Sequence, residues 1–262
     1  MARPLIALLT DFGLRDHYAG TMKGVALGVC PDITFVDISH DIAPHDVLGG
    51  ALELAAAYKY FPHGTIFLAV VDPGVGSTRH GIAADTGDYR FVAPDNGVLS
   101  LVFDQVAPKR VVELSDRRYA RPTISRTFEG RDRFAPAAAW LAKGINLTAL
   151  GRPAGSLVRL DVPWPRVTPD GIEGQVLRVD RFGNLITNID DTLLEKMSGA
   201  VGVTIGSRAI PRLVSTYADA SPGELCALVG SSERLEIAVN GGSAAEVLGV
   251  GRGALVHLRR GA

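Results

Sequence analysis

The chain has little cysteine. Its two residues, Cys30 and Cys226, lie far apart and form no C-x-x-C pair. That excludes a disulfide scaffold and a cysteine-based zinc site. An excess of one charge is also missing, since 27 basic residues face 28 acidic ones and the formal net charge is -1. Such a balance leaves no electrostatic footprint for nucleic acid or an anionic membrane. No apolar run nears the ~20 residues of a membrane helix. The run Leu5 to Leu9 is too short for a secretory h-region. The expected setting is cytoplasmic, with neither nucleic acid nor membrane as partner. H-E-x-x-H, G-x-S-x-G and Walker A motifs are absent, as are internal repeats. What is present suits a globular protein with a sizeable core: 47% of the 262 residues are hydrophobic and 21% charged. That length allows one large domain or two small ones.

Three apolar runs end in acidic turns. Leu5 to Leu9 leads into Thr10-Asp11-Phe12-Gly13, Ile33 to Val36 into Asp37-Ile38-Ser39-His40-Asp41, and Ile66 to Ala69 into Val70-Val71-Asp72-Pro73-Gly74-Val75-Gly76. Between them, Tyr18 to Val29 and Val47 to Tyr60 read as helices. Strand and helix in alternation predict right-handed crossovers and a mostly parallel sheet. The three acidic strand ends then share one rim, where α/β folds place ligand chemistry. Asp72 is followed seven residues later by Arg79 on the same compact loop, so a carboxylate and a guanidinium are held together. Taken alone, that loop could equally be a Gly-Pro turn with a surface ion pair.

Further strands are expected at Gly81 to Asp85 and Tyr89 to Ala93, around a Thr86-Gly87-Asp88 hairpin turn, and at Arg110 to Leu114. Helices are expected at Val98 to Phe103 and Phe134 to Lys143. Asp16 reads as an N-cap of the first helix. The proline-rich stretch from Val162 to Pro169 marks a boundary. This divides the chain into an α/β domain, 1–162, and a smaller all-β domain, 170–262. Short β-type runs in the second domain are Gly174 to Val179, Asn184 to Ile189, Ala200 to Ile205, Glu224 to Val229, Leu235 to Val239 and Ala254 to Leu258. The turn Asp180-Arg181-Phe182-Gly183-Asn184 carries an aromatic at its tip, able to stack on a base. Asp37, His40, Asp41, His45 and Asp46 match no standard metal spacing, and no metal site is expected. Thr127 to Pro136 is dense in charge, but Phe128, Gly130 and Phe134 within it point to a folded turn near a pocket.

Together these motifs resemble the S-adenosyl-L-methionine hydroxide adenosyltransferase family, kin to the fluorinase and chlorinase. The resemblance runs over nearly the whole chain. It rests on Thr10 to Gly13, Met22-Lys23-Gly24, Cys30-Pro31, Asp37 to His40, Pro44-His45-Asp46, Val71 to Gly76, Ala93 to Gly97, Gly130-Arg131-Asp132 and Phe182 to Asn188. It implies a homotrimer with active sites between subunits. It also implies conversion of S-adenosyl-L-methionine and water to adenosine and L-methionine, the adenosyl compound being substrate and no cofactor being needed. Catalytic roles fall to Asp72 and Arg79. Asp11 matches a ribose-diol ligand, Asp16 an ammonium ligand, and Phe182, Asn184 and Asn240 the adenine end. Ser231 matches a carboxylate ligand.

One position departs. The family's Phe-His-Gly-Arg-Asp reads Phe128-Glu129-Gly130-Arg131-Asp132 here, so Glu129 stands in the third catalytic place. Either Glu129 points into the pocket toward the water that Asp72 and Arg79 handle, or it turns outward onto Arg131, Arg133 or a helix-start amide. Gly130 in place of the fluorinase serine, and Asp72 in place of a tyrosine, speak against halide use. Ser232 replaces an arginine seen in the fluorinase. Two other classes stay open: a protein that binds the adenosyl compound or adenosine without turnover, and a phosphate-handling enzyme using Gly74 to Thr78 as an anion loop. That loop has no lysine.

Overall fold

The computed structural model describes residues 3–197 and 201–260. The chain forms two compact units, Met1–Asp161 and Val162–Ala262.

In the first unit, β1 (Leu5–Thr10), α1 (Tyr18–Val29), β2 (Thr34–Ser39), α2 (Val47–Ala57) and β3 (Ile66–Val70) alternate in chain order. They are followed by β4 (Gly81–Asp85), β5 (Arg90–Pro94), α3 (Ser100–Gln105), β6 (Arg110–Glu113) and α4 (Ala135–Ala142). The sheet order is β2-β1-β3-β5-β4-β6. The pairs β1/β2, β1/β3 and β3/β5 are parallel. The pairs β4/β5 and β4/β6 are antiparallel. The expected mostly parallel sheet is therefore a mixed one. The reason is local: Gly87, at φ +104°, closes a tight turn between β4 and β5. So short a link can only reverse the chain. Both antiparallel pairings belong to β4.

The strand ends still align. Leu9 pairs with Ser39 and Thr10 with Val70, so β1, β2 and β3 stop level with one another. The core beneath them is made of Ile6, Leu8, Met22, Leu68, Val70, Phe134 and Leu141, all at most 2% exposed. α2 packs closely: a Cβ on Gly50 would lie 3.0 Å from Val71.

Some boundaries shift for identifiable reasons. α1 is preceded by His17 as cap residue with no side-chain cap bond, so Asp16 is not its N-cap. The His17 ring instead meets Thr21 Oγ1 at 2.9 Å. α3 begins at Ser100 because Asn96 and Gly97 first make a turn, with Val98 N donating to Asn96 Oδ1 at 3.2 Å. α4 is entered through a π-helical turn, Gly130–Phe134. Such wide turns are frequent at functional sites.

The second unit contains β7 (Arg166–Thr168), β8 (Gly171–Val179), β9 (Leu185–Asp190), α5 (Asp191–Glu195), β10 (Val201–Ile205) and β11 (Arg208–Ile210). β12 (Leu225–Val229), β13 (Arg234–Val239), α6 (Ala244–Leu248) and β14 (Leu255–Arg260) complete it. Ala200, expected to begin a strand, lies outside the described residues. The order is β11-β10-β14-β8-β9-β13-β12, with β7 on β8. Leu213 bridges Ala227 on β12, so the sheet curls nearly into a barrel. The sequence reading of an all-β unit omitted two short helices. Their caps were in the sequence: Asp190 accepts from Leu193 N at 2.9 Å, and Ser243 from Glu246 N at 3.2 Å.

Glu236 on β13 is 4% exposed and accepts from Tyr217 Oη. Burial raises its pKa above the ordinary glutamate value, and the Tyr217 bond opposes that only in part. A raised folded-state pKa contributes stability below the unfolded value, and this is lost as pH rises through the folded one. Glu236→Gln carries no such charge. Wild type should therefore lose stability relative to this variant as pH rises from about 4 toward 8, read as urea midpoints across that range.

Candidate active site

The end of β3 determines the site. After the buried Val70 and Val71, the chain turns at Asp72. Val75 N donates to Asp72 O at 3.3 Å, and Ser77 N to Gly74 O at 3.1 Å. Gly76 has φ +77°, and a Cβ there would sit 2.3 Å from Arg126 O. Only glycine meets both conditions. This tight return brings Arg79 back over Asp72.

Arg79 then binds two carboxylates at once. Its Nε donates to Asp72 Oδ1 at 2.9 Å and its Nη2 to Asp72 Oδ2, a two-pronged pair. Its Nη1 donates to Glu129 Oε2 at 2.6 Å. The guanidinium lies 5.2 Å from the centre of the Phe134 ring. The side chains of Asp72, Arg79 and Glu129 are only 5%, 10% and 11% exposed. Burial works against the charge on Arg79, but Asp72 and Glu129 outweigh it and raise the guanidinium pKa above its ordinary value. The arginine is a permanent cation between two acids.

Glu129 thus turns inward, onto Arg79. Its other oxygen is 3.8 Å from Arg133 Nη2. Arg131 goes elsewhere, pairing with Asp132 at 2.6 and 2.7 Å and lying 5.1 Å above the Phe128 ring. Asp132 has no exposure and also accepts from Ser125 N at 2.8 Å. Burial pushes its pKa up, yet Arg131 and the Ser125 amide prevail and hold the carboxyl below the usual range. Asp132 is the tie that fixes the segment carrying Glu129.

Asp72 and Glu129 line a cavity of about 430 Å³ together with Phe12, Tyr18, Val70, Val75 and Phe128. Phe12, Tyr18 and Phe128 pack edge to face, with centroids 5.2–6.1 Å apart. Arg131 also lines the cavity and covers the Phe128 ring, so the groups that can meet a cation are the two carboxylates and the Phe12 and Tyr18 rings. Phe12 and Tyr18 were not singled out as site residues in the sequence. Their separation by a turn gives no pattern; only the docking of Phe128 makes the trio.

Asp11 and Asp16 do not line this cavity. Asp11, half-buried just past β1, accepts from His45 N at 2.9 Å. Asp16 is exposed on the turn before α1. Behind Asp11, Thr10 Oγ1 meets His40 Nδ1 at 2.8 Å, while His40 Nε2 lies 3.1 Å from Asp37, which also binds Lys23 at 2.6 Å. His40 is therefore a buried latch on the Asp11 turn, a use the sequence did not disclose. Asp46 caps α2 by accepting from Gly49 N at 3.0 Å.

In the second unit, Asp180 Oδ1 accepts from Phe182 N and Asn184 N at 2.9 and 2.8 Å. The turn leaves Phe182 76% exposed. Asn184 is buried and donates its amide to Asp180 Oδ2 at 3.0 Å. Asn240 donates to Ala220 O at 2.8 Å. Ser231 is exposed on the β12–β13 turn.

Two family models match this chain. The SAM hydroxide adenosyltransferase N-terminal domain covers residues 6–151, and the corresponding C-terminal domain covers 174–257. The chain belongs to the SAM hydroxide adenosyltransferase family. It is 41% identical to a protein of Salinispora tropica named (R)-S-adenosyl-L-methionine hydrolase, over 98% of each chain. A fluorinase of Nocardia brasiliensis is 30% identical, over 99% of this chain and 98% of the other. The crystal structure of an uncharacterized conserved protein from Thermotoga maritima superposes with TM-score 0.91 at 37% identity, covering 97% of this chain and 99% of that one. Among the described residues, no group of three or more His, Cys, Asp or Glu side chains is placed to hold a metal ion, and no helix is long and apolar enough to cross a membrane.

Replacing Asp132 by Ala removes charge-assisted bonds from Arg131 and Ser125. The expected loss is about 1.5–3 kcal/mol, measured by chemical denaturation at pH 7. A lowered carboxyl pKa contributes stability above the ordinary carboxylate value and loses it as pH falls through the lowered one. The gap between wild type and Asp132→Ala should therefore narrow in acid.

Proposed function

We propose that this protein hydrolyses S-adenosyl-L-methionine to adenosine and L-methionine, with water attacking C5′ in line with the sulfonium. The observation that carries the reading is the buried Asp72–Arg79–Glu129 group, set in an aromatic-walled cavity at the end of a core strand. Its two carboxylates and the Phe12 and Tyr18 faces beside them suit a sulfonium ligand. Names of relatives 34–41% identical over nearly their whole length agree with this activity.

The chemistry follows from the leaving group. Methionine departs as a neutral thioether, so no cofactor and no general acid is called for. What the reaction lacks is a good nucleophile, because water has a pKa of about 15.7. The proposed task of Asp72 is to accept a proton from a water held opposite sulfur. Arg79 keeps Asp72 in a single rotamer with both its oxygens engaged on one edge. Glu129 takes the third catalytic place as a second acceptor. Holding water and C5′ in near-attack geometry supplies the remainder of the acceleration. A halide would meet the same two carboxylates as a like charge, so water is the proposed nucleophile.

The further roles proposed are Asp11 for the ribose diol, Asp16 for the methionine ammonium, Ser231 for its carboxylate, and Phe182, Asn184 and Asn240 for adenine. Phe182 supports the last, since its ring is largely exposed and can stack on a base. We further propose a cytoplasmic homotrimer in which substrate contacts come from two subunits. Sedimentation equilibrium is expected to give about three times the 27.7 kDa chain mass; a monomer would sink the shared-site proposal.

Wild type incubated with S-adenosyl-L-methionine should release adenosine and methionine in equal amounts, and no 5′-halogenated product when chloride or fluoride is added. Chromatography reads both. Asp72→Asn keeps the shape and removes the acceptor, so turnover should fall by about 10²–10⁴ with substrate still bound. Glu129→Ala should lower turnover, and Glu129→His should retain or raise it. If both Glu129 variants match wild type, the Asp72–Arg79 pair acts alone.

A further inference from the structure

A second cavity, of about 470 Å³, lies against the same group of residues. Its lining includes Ala120, Ile124, Arg126 and Arg133, and it shares Ser125 and Glu129 with the aromatic-walled cavity. Glu129 is therefore a wall between two spaces. One oxygen is held by Arg79 at 2.6 Å, on the side of Asp72. The other faces Arg133 at 3.8 Å. Arg133 Nε is buried without a protein hydrogen-bond partner. A buried donor of this kind calls for water or a small ligand. Arg126, on the same lining, is exposed, so this cavity reaches the surface.

Hydrolysis consumes one water and produces one proton. The water oxygen bonds to C5′, the C5′–S bond breaks with its electron pair passing to sulfur, and the surplus proton stays on the protein. On the hydrolase reading, a substrate in the aromatic-walled cavity stands between Asp72 and that cavity's mouth. Asp72 is 5% exposed and Arg79 is held as a permanent cation, so neither hands a proton to bulk water. Glu129 has one oxygen on each side.

We propose that the second cavity is a water and proton port, and that Glu129 is the carboxylate through which the proton leaves the reaction site. The proposal rests on the hydrolase reading above. The proton passes from Asp72 to Glu129 through a water in the cavity that both carboxylates line, and not through Arg79, then to water beside Arg133. Replacement water enters by the same path while the nucleoside side stays closed.

The test is to plug the port from its far wall. Ala120 and Ile124 line the second cavity and not the first. In Ala120→Trp and, separately, Ile124→Trp, kcat should fall by up to about 10²-fold, the lower end of what a working proton acceptor contributes, with the affinity for S-adenosyl-L-methionine unchanged by calorimetry. The solvent deuterium isotope effect on kcat should rise, because proton departure has become slower. Glu129→Ala joins the two spaces, so added formate should restore part of its turnover, while bulky benzoate should not. Should both tryptophan variants fail to fold, Ala120→Leu and Ile124→Phe repeat the test, and wild-type kcat and isotope effect in both overturn the port. Plugged variants with wild-type kcat and isotope effect overturn the port while leaving the hydrolase reading intact. A wild type that releases no adenosine overturns both.

Discussion

One guanidinium holds this site together. Arg79 spends its Nε and Nη2 on Asp72 and its Nη1 on Glu129, in a place where all three side chains are nearly out of solvent. Two carboxylates brought this close without a cation would repel, and one would take up a proton. Breaking a buried charge group costs about 3–5 kcal/mol because it leaves an uncompensated ion. The rest of the first unit acts to keep Arg79 in place. Phe134 lies under its plane, Gly81 leaves room for that ring (a Cβ there would come within 2.4 Å of it), and Gly76 lets the loop fold back.

The same constraint explains the segment 121–134. Glu129 reaches Arg79 only because the π-helical turn and the Asp132 ties set the direction of the chain there. Gly130 is close-packed, 3.2 Å from Met22 Sδ by its notional Cβ, so the turn rests directly on α1. The aromatic trio follows, since Phe128 is carried by that turn and Phe12 and Tyr18 flank the start of α1. Site chemistry and core packing are thus one arrangement.

The second unit works differently. Its turns, not its core, carry the residues proposed for substrate contact. Asp180 collects three donors from Phe182 and Asn184, so the turn is held by its own side chains. Pre-ordered turns lose less entropy on binding. One N–H of each of the Asn184 and Asn240 amides is engaged within the fold, while the Phe182 ring is exposed.

The sequence by itself determined what depends on near neighbours. A buried strand, a Pro-Gly break, and an acid and a base seven residues apart dictated the Asp72–Arg79 pair, because steric rules for glycine and proline act within a few residues. It also determined the level strand ends that carry Asp11 and Asp72, since apolar runs of similar length in adjacent crossovers stop together. The reversed β4 lay within reach of the Gly87 turn, and the caps of α5 and α6 were readable at Asp190 and Ser243. Glu129 was different. It stands 50 residues from Arg79, and sequence left both of its orientations open. Only the packing of the 121–134 segment on α1 and β3 decided it. The His40 latch, the aromatic trio and the second cavity belong to the same class: each joins residues whose separation along the chain has no period, so only the close-packed fold brings them together.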